Sequence, residues 1–328
     1  MNIEACPKIE LHLHLEGAAP PHFIRQIAAE KHEDIGGIFA ANGDYKFSDF
    51  RHFLKVYEAA TSVLTGPEDF YRLTCEVLQQ SAEQGVIYTE VFVSLDFCGG
   101  CDLAAWQEYL AAIEQAAAQS EREFGIVAKG IVTCIRHFGP DQARKAARCA
   151  AETAGDFIVG FGMGGDELQS RQGDFAYGFD MAREAQLYLT THAGEWGGAE
   201  SVRQAVFDLK VERIGHGIQV INDPSLVDEL VARQITLEVC PGSNVALGVY
   251  PTLDAHPVND LRSAGVKTTI STDDPPFFHT TLGQEYRQLA DTFGWTSKDF
   301  TALNKTAAEA AFCSAETRQS LLERLEKT

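Results

Sequence analysis

The sequence predicts an α/β fold, a single TIM-type (β/α)8 barrel, and three observations support that prediction. Short apolar runs of strand type alternate with helical stretches about eight times along the 328 residues. Strict alternation of strand and helix implies a parallel sheet, and eight such units favour closure of the sheet into a barrel. No linker, low-complexity segment or charge block interrupts the pattern, so we expect one domain over residues 1–328.

The opening strand is informative because its side chains alternate strictly between apolar and polar from Ile9 to Glu16. Period-two alternation predicts a strand. It places His12 and His14 on one face, with the leucines on the other. Two imidazoles held side by side by a strand could clamp a divalent metal. The plainer interpretation is a half-exposed strand whose polar face meets water, and the rest of the chain has to decide between the two.

The remaining elements follow in order along the chain. After the opening strand, helices are predicted from Pro20-Pro21 onward, at 47–64 and at 67–85, so residues 35–85 form an elaborated first crossover. Further strands are predicted at 86–93, 126–135, 157–163, 187–192, 213–216, 235–240 and 266–272. The helices between them are predicted at 102–122, 140–154, 174–185, 199–209, 223–233 and 257–264. Residues 281–328 are predicted to be a helical extension.

Charge and composition exclude several classes of partner. The chain has 27 basic and 47 acidic residues, a net charge of −20, which argues against a nucleic-acid partner. No apolar run approaches the ~20 residues that a membrane span needs. The N-terminus lacks a basic region followed by an apolar stretch, so we expect no secretory signal. The eight scattered cysteines are expected to be reduced, and the protein is expected to be cytoplasmic.

Polar residues concentrate where four of the predicted strands end. His12 and His14 close the first strand, His192-Ala-Gly-Glu195 the fifth, His216 the sixth and Asp273-Asp274 the eighth. In barrels of this kind the chemistry sits at the carboxyl ends of the strands. Each residue alone has an ordinary structural explanation, but their conjunction at one end predicts a metal site. Three histidines and an aspartate suit zinc and disfavour magnesium or calcium.

Taken together, these motifs resemble those of the adenosine deaminase family of the amidohydrolase superfamily. The resemblance rests on His12-x-His14, His192-Ala-Gly-Glu195, Gly215-His216-Gly217 and Thr272-Asp-Asp-Pro275, with Gly164-Gly-Asp-Glu167 and Leu237-Glu-Val-Cys-Pro241 in support. It covers essentially the whole chain. It implies a barrel enzyme with one zinc ion per chain that hydrolyses a 6-aminopurine nucleoside to the 6-oxo compound and ammonia.

The resemblance also implies a role for each site residue. His12, His14, His192 and Asp273 would bind zinc, which lowers the pKa of its water and so supplies the nucleophile at C6. Glu195 would deliver a proton to N1 as general acid, and His216 would orient the attacking water and stabilise the developing charge. Glu238 would orient a ligand histidine, although a purely structural buried glutamate fits the sequence nearly as well.

Substrate contacts follow from the same resemblance. Asp274 would hydrogen-bond N7, the Gly165 backbone N–H would reach N3, and His14 and Glu16 would lie beside the 5′ end of the ribose. The apolar helical stripe of Phe50, Phe53, Leu54 and Tyr57 would cover the purine, although such a stripe is more often plain core. The expected partner is therefore a small-molecule purine nucleoside, with no nucleic acid and no membrane involved. The sequence does not give the oligomeric state.

The expected reaction is deamination of adenosine and 2′-deoxyadenosine to inosine and deoxyinosine, as in purine salvage. Two alternatives keep the same zinc chemistry: an adenine deaminase, or a deaminase of a modified adenosine such as aminodeoxyfutalosine. Glu16 favours the adenine alternative, because the adenosine enzymes have aspartate there and adenine-specific relatives have glutamate. Gly164-Gly-Asp-Glu167 favours adenosine, whereas Gly162 departs from the aspartate of the animal enzymes. An inactive nucleoside-binding barrel would lack Glu195 or a ligand, and none is missing.

Three other motifs are set aside. Gly160-Phe-Gly-Met-Gly-Gly165 fits a dinucleotide fingerprint, but no helix-packing run follows it. Cys98-Gly-Gly-Cys101 has no second Cys-x-x-Cys or Cys-x-x-His nearby, so we expect a plain loop rather than a redox or zinc site. A two-metal hydrolase would need a bridging carboxylate or modified lysine after the fourth strand, and residues 162–165 offer none.

Overall fold

A computed structural model describes residues 6–327 and confirms the predicted barrel. Its eight strands are β1 (Lys8–His14), β2 (Val86–Ser94), β3 (Val127–Ile135), β4 (Ile158–Gly164), β5 (Tyr188–Ala193), β6 (Arg213–His216), β7 (Thr236–Val239) and β8 (Lys267–Ile270). They follow one another around a single sheet in chain order, and each neighbouring pair is parallel. Sequential parallel strands need a crossover between each pair, and helices provide it.

The first and last strands meet just beyond the carboxyl end of β8. The Asp273 backbone N–H donates to the His12 carbonyl at 3.1 Å, and the His14 N–H donates to the Asp273 carbonyl at 3.0 Å. The Ser271 hydroxyl accepts from the N–H groups of Leu11 and His12 at 3.3 and 3.2 Å. The ends of the sheet are therefore joined at residues that the sequence assigns to the metal site.

The helices lie outside the sheet. They are α1 (Pro21–Lys31), α2 (Phe50–Thr61), α3 (Pro67–Glu83), α4 (Leu103–Phe124), α5 (Pro140–Glu152), α6 (Ala176–Glu184), α7 (Gly198–Gln204), α8 (Pro224–Arg233), α9 (Pro241–Ala246), α10 (Val258–Ser263), α11 (Leu282–Phe293), α12 (Ser297–Ala310) and α13 (Ala315–Glu326). A π-helical turn at Ala205–Leu209 continues α7, which accounts for the single helix predicted at 199–209. Helices α2 and α3 form the elaborated first crossover, and α11 to α13 form the extension.

The structure excludes the plainer interpretation of the opening strand. The strand is buried along its whole length, because its polar face lies in the barrel interior and its leucines lie against the surrounding layer. The short helix α9 was not predicted, because its six residues after Pro241 are too few to show a helical period. Within residues 6–327, no helix has the length and apolar character needed to span a bilayer.

Candidate active site

Side chains from four strand ends converge at one end of the barrel. His14 Nε2 lies 3.2 Å from Asp273 Oδ1, and His12 Nε2 lies 3.4 Å from the same oxygen. The His12 and His192 ring centroids are 4.7 Å apart, and those of His14 and His192 are 5.2 Å apart. The four residues expected to bind zinc are therefore neighbours, although 261 positions separate the first from the last in sequence (273 minus 12).

The donor atoms fit a bound cation. His12 Nε2, His192 Nε2 and Asp273 Oδ1 are buried and have no hydrogen-bond partner within the described chain. Unsatisfied buried polar atoms are costly, and a cation on these three lone pairs would remove the cost. Nitrogen and carboxylate donors without sulfur match a catalytic zinc site. The structure thus gives a candidate site for zinc.

Two of the converging residues have unusual backbone conformations. His216 and Asp273 have φ values of 59° and 69°, in the left-handed region that residues other than glycine seldom occupy. His216 is the last residue of β6, and Asp273 lies three residues beyond the end of β8. A strained backbone conformation persists only when contacts with the surrounding structure hold it in place. Such conformations are concentrated at functional sites.

Behind His12 lies a buried network of charged groups. Glu238 Oε2 is 2.7 Å from His12 Nδ1, and Glu238 Oε1 accepts from Arg213 Nε at 2.6 Å and from Thr190 Oγ1 at 3.0 Å. Arg213 Nη2 reaches Glu90 Oε2 at 2.5 Å. Burial alone would raise the pKa of Glu238, but Arg213 and His12 outweigh it and lower the pKa below its usual range. An ionised Glu238 that accepts from Nδ1 leaves Nε2 of His12 free as the ligand nitrogen.

Glu195 is buried at the same end of the barrel. Burial raises the pKa of its carboxyl well above the usual range, and the charges of Asp273, Glu167 and Asp274 raise it further. Its Oε2 lies 3.8 Å from His216 Nε2. A carboxyl that keeps its proton near neutral pH is suited to act as a general acid.

A chain of three hydrogen bonds determines which nitrogen of His216 has the proton. The Val258 N–H donates to His256 Nδ1 at 3.2 Å, so His256 carries its hydrogen on Nε2 and donates to Asn244 Oδ1 at 3.1 Å. Asn244 Nδ2 then donates to His216 Nδ1 at 3.2 Å. Burial lowers the pKa of His216 to about 3, which keeps the ring neutral. His216 therefore presents an Nε2–H donor towards Glu195 and Asp273.

The adjacent aspartates have different surroundings. Asp273 Oδ2 accepts from the Ser243 hydroxyl at 2.7 Å, which leaves Oδ1 for the histidines. Asp274 Oδ1 is buried with no partner among the described residues. Gly17 makes room for it, since a Cβ at Gly17 would lie 1.6 Å from Asp274 Oδ1. Burial and the charge of Asp273 raise the pKa of Asp274 well above its usual range.

A pocket open to solvent is lined by several of these groups, among them His14, His192, Glu195 and Asp273. Phe50, Phe53, Leu54 and Tyr57 of α2 all line it. Their rings continue into a larger aromatic wall: Phe50 lies 5.2 Å from Trp196 between ring centroids, and Tyr57 lies 6.0 Å from Phe97. The wall is suited to covering a flat heteroaromatic ring.

Gly165 lines the pocket opposite α2. Its φ is 94°, and a Cβ there would lie 2.8 Å from His137 Nδ1. Only glycine fits this position without strain, because both the conformation and the space exclude a side chain. The Gly165 backbone lines the pocket, and its contact with a purine nitrogen stays a prediction.

Glu16 does not line the pocket, in contrast to the expectation that it lies beside a ribose. The residue is 1% exposed. Its Oε1 accepts from the Ser94 N–H at 2.8 Å, and the Tyr57 hydroxyl lies 3.4 Å from Oε2. Burial raises the pKa of Glu16 to about 7. The Cys98 thiol also donates towards Oε1, at 3.8 Å.

The structure does not place Cys98 and Cys101 in a metal site. Both thiols are buried, and neither belongs to any cluster of potential metal ligands found in residues 6–327. Cys101 Sγ lies 3.7 Å from Asp96 Oδ1. The pair belongs to the loop between β2 and α4.

Four residues that contact the site were not assigned roles from the sequence: Glu167, Arg213, Ser243 and Asn244. Ser243 and Asn244 lie two and three residues after the Leu237–Pro241 motif, and Glu167 ends the Gly164–Glu167 motif. Proximity to these motifs was the available signal for three of the four. Arg213 had no such signal, because a charged residue at the start of a strand resembles an exposed one.

Comparisons with known proteins agree with this geometry. A sequence model described as adenosine deaminase matches residues 7–328. The chain is 44% identical to the adenine deaminase of Rhizobium leguminosarum bv. trifolii over 97% of its length and 98% of the relative's. It is 43% identical to the adenine deaminase of Agrobacterium fabrum, over 97% of each chain.

Solved structures give the same result. The crystal structure of adenine deaminase from Arthrobacter aurescens superposes with a TM-score of 0.91 at 29% identity, covering 98% of this chain and 99% of that one. An amidohydrolase from Burkholderia ambifaria, with bound Zn, superposes with a TM-score of 0.86 at 25% identity, covering 99% and 94%. The protein thus belongs to the adenosine deaminase family, whose members in the amidohydrolase superfamily are hydrolytic deaminases of adenine compounds.

Proposed function

We propose that the protein hydrolyses the free base adenine to hypoxanthine and ammonia, using one zinc ion, and that adenosine is a poor substrate. The named relatives at 39–44% identity are adenine deaminases, which supports the alternative that Glu16 favoured over the expected adenosine activity. The aromatic pocket wall and the buried polar groups beneath it suit a planar purine.

The placement of Glu16 is the observation on which this choice rests. A ribose hydroxyl taken into the pocket needs a hydrogen-bond partner, because a buried unpaired hydroxyl costs free energy. The Glu16 carboxyl already accepts from the Ser94 N–H and lies beside the Tyr57 hydroxyl. It is also buried and does not line the pocket, which supports the proposal that it does not bind a 5′ hydroxyl. The sugar of a nucleoside therefore contributes little binding free energy here, and the pocket must also accommodate its bulk.

The chain's own residues would hold the base and move one proton. A zinc ion held by His12, His14, His192 and Asp273 would supply an activated water for attack at C6. Glu195 would protonate N1, which makes C6 more electrophilic. The Nε2–H of His216 would stabilise the charge that develops near C6. Asp274 would contact N7, and the Gly165 N–H would contact N3.

Ammonia release from adenine, adenosine and a 5′-extended adenosine, measured side by side, tests this proposal. We expect kcat/KM for adenine to exceed that for adenosine by at least ~10², because the sugar finds no free partner. Glu195→Gln should remove turnover of every substrate and so controls for contaminating activity. Equal or higher kcat/KM for adenosine would overturn the choice of adenine. Turnover of the 5′-extended compound alone would point to a modified adenosine.

A further inference from the structure

One carboxylate binds four consecutive backbone amides beside the metal site. Glu167 Oε1 accepts from the Gly194 N–H at 2.5 Å. Glu167 Oε2 accepts from the N–H groups of Glu195, Trp196 and Gly197 at 2.9, 2.6 and 2.9 Å. Glu167 is 3% exposed, so water does not compete for these hydrogen bonds. All four backbone N–H groups of the turn Gly194–Gly197, which connects β5 to α7, thus donate to a single side chain.

The turn has a glycine at a point where the Glu167 carboxylate approaches it closely. A Cβ at Gly197 would lie 2.8 Å from Glu167 Oε1, so glycine keeps the approach open. The carbonyl side of the same turn is held by a different residue. The Gln219 N–H donates to the Gly194 carbonyl at 2.9 Å, and Gln219 Nε2 donates to the Glu195 carbonyl at 3.2 Å. The backbone of Glu195 is therefore fixed from both sides.

The side chain of Glu195 has no comparable support. Among residues 6–327, no group donates a hydrogen bond to its carboxyl, and the neutral ring of His216 lies 3.8 Å away, measured from its Nε2. The position of that carboxyl thus depends on the backbone from which it projects. A misplacement of about 1 Å at a reacting group can lower a rate by ~10².

We propose that Glu167 is a positioning residue that fixes the Glu195 carboxyl for proton transfer by holding the amides of residues 194–197. The proposal rests on the proposed role of Glu195 as general acid. It gives Glu167 a function in turnover that is distinct from substrate binding and from metal binding, since Glu167 neither lines the pocket nor offers a ligand atom to the histidine cluster.

The first test is Glu167→Gln, which keeps the size of the side chain and replaces one acceptor oxygen by a donor NH2. That NH2 must face at least one of the four amide N–H groups, donor against donor. We expect kcat to fall by ~10² while KM changes by less than about threefold, because the purine contacts remain. Zinc content should stay at the wild-type level. An unchanged kcat, or a loss of zinc equal to the loss of activity, would overturn the proposal.

Asp69→Asn is a matched control. Asp69 is also buried, and one of its oxygens accepts from two backbone amides, those of Thr65 and Gly66, at the start of α3. This variant removes a buried carboxylate charge away from the pocket, weakens its hydrogen bonds to those amides and breaks its ion pair with Lys31. It should lower thermal stability and leave kcat within about twofold of wild type. A fall in kcat as large as that of Glu167→Gln would show that general destabilisation explains both.

A double-mutant cycle with Glu195→Gln separates positioning from a purely structural effect. If Glu167 acts through Glu195, the double variant should be no slower than Glu195→Gln alone. If the fold-decrease in kcat of the double variant equals the product of the two single decreases, Glu167 does not act through Glu195. All rates are measured on whichever 6-aminopurine the wild type turns over best. A near-normal kcat for Glu195→Gln alone would instead contradict the general acid, and so the proposed function.

Gly197→Ala provides a second variant in case Glu167→Gln does not fold. Its methyl group would press on the Glu167 carboxyl and on Ser201 without removing the charge. We expect a fall in kcat of about tenfold with an unchanged KM. A normal kcat in a folded Gly197→Ala protein would contradict the dependence of Glu195 on this turn.

Discussion

Nδ1 of His12 lies 2.7 Å from Oε2 of Glu238, which contacts Arg213 through its other oxygen. The interaction ties a candidate zinc ligand to a salt-bridge network that crosses the barrel interior to Glu90. At the far end, the Arg213 guanidinium lies 3.5 Å from the centre of the Phe312 ring and donates to the Ala310 carbonyl. The orientation of His12 therefore depends on residues well outside the pocket.

Arg213→Lys should strongly destabilise the protein. Lysine cannot reach Glu90 and Glu238 together, so one carboxylate would stay buried and unpaired. We expect the free energy of unfolding to fall by about 3–5 kcal/mol, measured by chemical denaturation. Arg262→Lys is the matched control, because Arg262 stacks on Trp295 and pairs with Asp299 near the surface. Its effect should stay below ~1 kcal/mol. If both variants lost the same free energy of unfolding, burial of the Arg213 ion pairs would not explain the effect.

His12→Ala should leave little zinc in the purified protein and abolish turnover, because the candidate site then loses one of its nitrogen donors. Glu238→Gln should keep the site but weaken zinc binding by ~10–100-fold, since the amide does not enforce the Nδ1–H form of His12 as a carboxylate does. Metal analysis after dialysis against a graded series of chelator concentrations distinguishes the two variants. Full zinc in His12→Ala would remove the first strand from the site.

Asn244→Asp should reverse the hydrogen bond to His216. An aspartate accepts where Asn244 Nδ2 donates, so the proton of His216 would move from Nε2 to Nδ1. We expect kcat to fall by ~10² with zinc retained, because the donor towards the reacting centre is lost. The imidazole nitrogen resonances of His216 should report the exchange directly. Asn42→Asp adds the same charge at an exposed loop and should have no effect on kcat.

Glu285→Gln should stabilise the protein in a pH-dependent way. Burial raises the pKa of Glu285 to about 7 from its usual 4.5, so the folded state keeps a proton that the unfolded state releases. Stability contributed by this group is therefore lost as pH rises from about 4.5 to 7. The variant should match wild type at pH 4 and exceed it by about 2–3 kcal/mol at pH 8, measured by chemical denaturation. A constant difference across this range would contradict the shifted pKa.

Much of the fold was predictable because each barrel unit repeats a local pattern. Each of the eight strands is a short apolar run between helices, and chain order alone gives its neighbours in the sheet. The site residues of the strand ends were predictable for the same reason, since the fold brings those ends together. Phe50 and Tyr57 were less certain, because helical spacing identifies a buried face but not what it is buried against.

The contacts that cross the barrel could not be predicted in the same way. Nothing in the spacing of Glu90, Arg213 and Glu238 indicates that they meet, because contacts between distant segments depend on the three-dimensional register of the strands. Glu16 shows a different limit. Its position beside the first strand was clear from the sequence, but the orientation of its carboxyl towards Ser94 required the structure.

The junction of the first and last strands has a consequence for how the protein is made. His12 and His14 leave the ribosome early, whereas Ser271, which binds the His12 backbone, is translated 259 residues later than His12. At a synthesis rate of ~5–20 residues per second, this delay lasts on the order of 10–50 s. During this interval the first strand lacks one of its two neighbours, and the metal site lacks Asp273. A nascent chain halted before Asp273 should therefore bind zinc far more weakly than the completed protein.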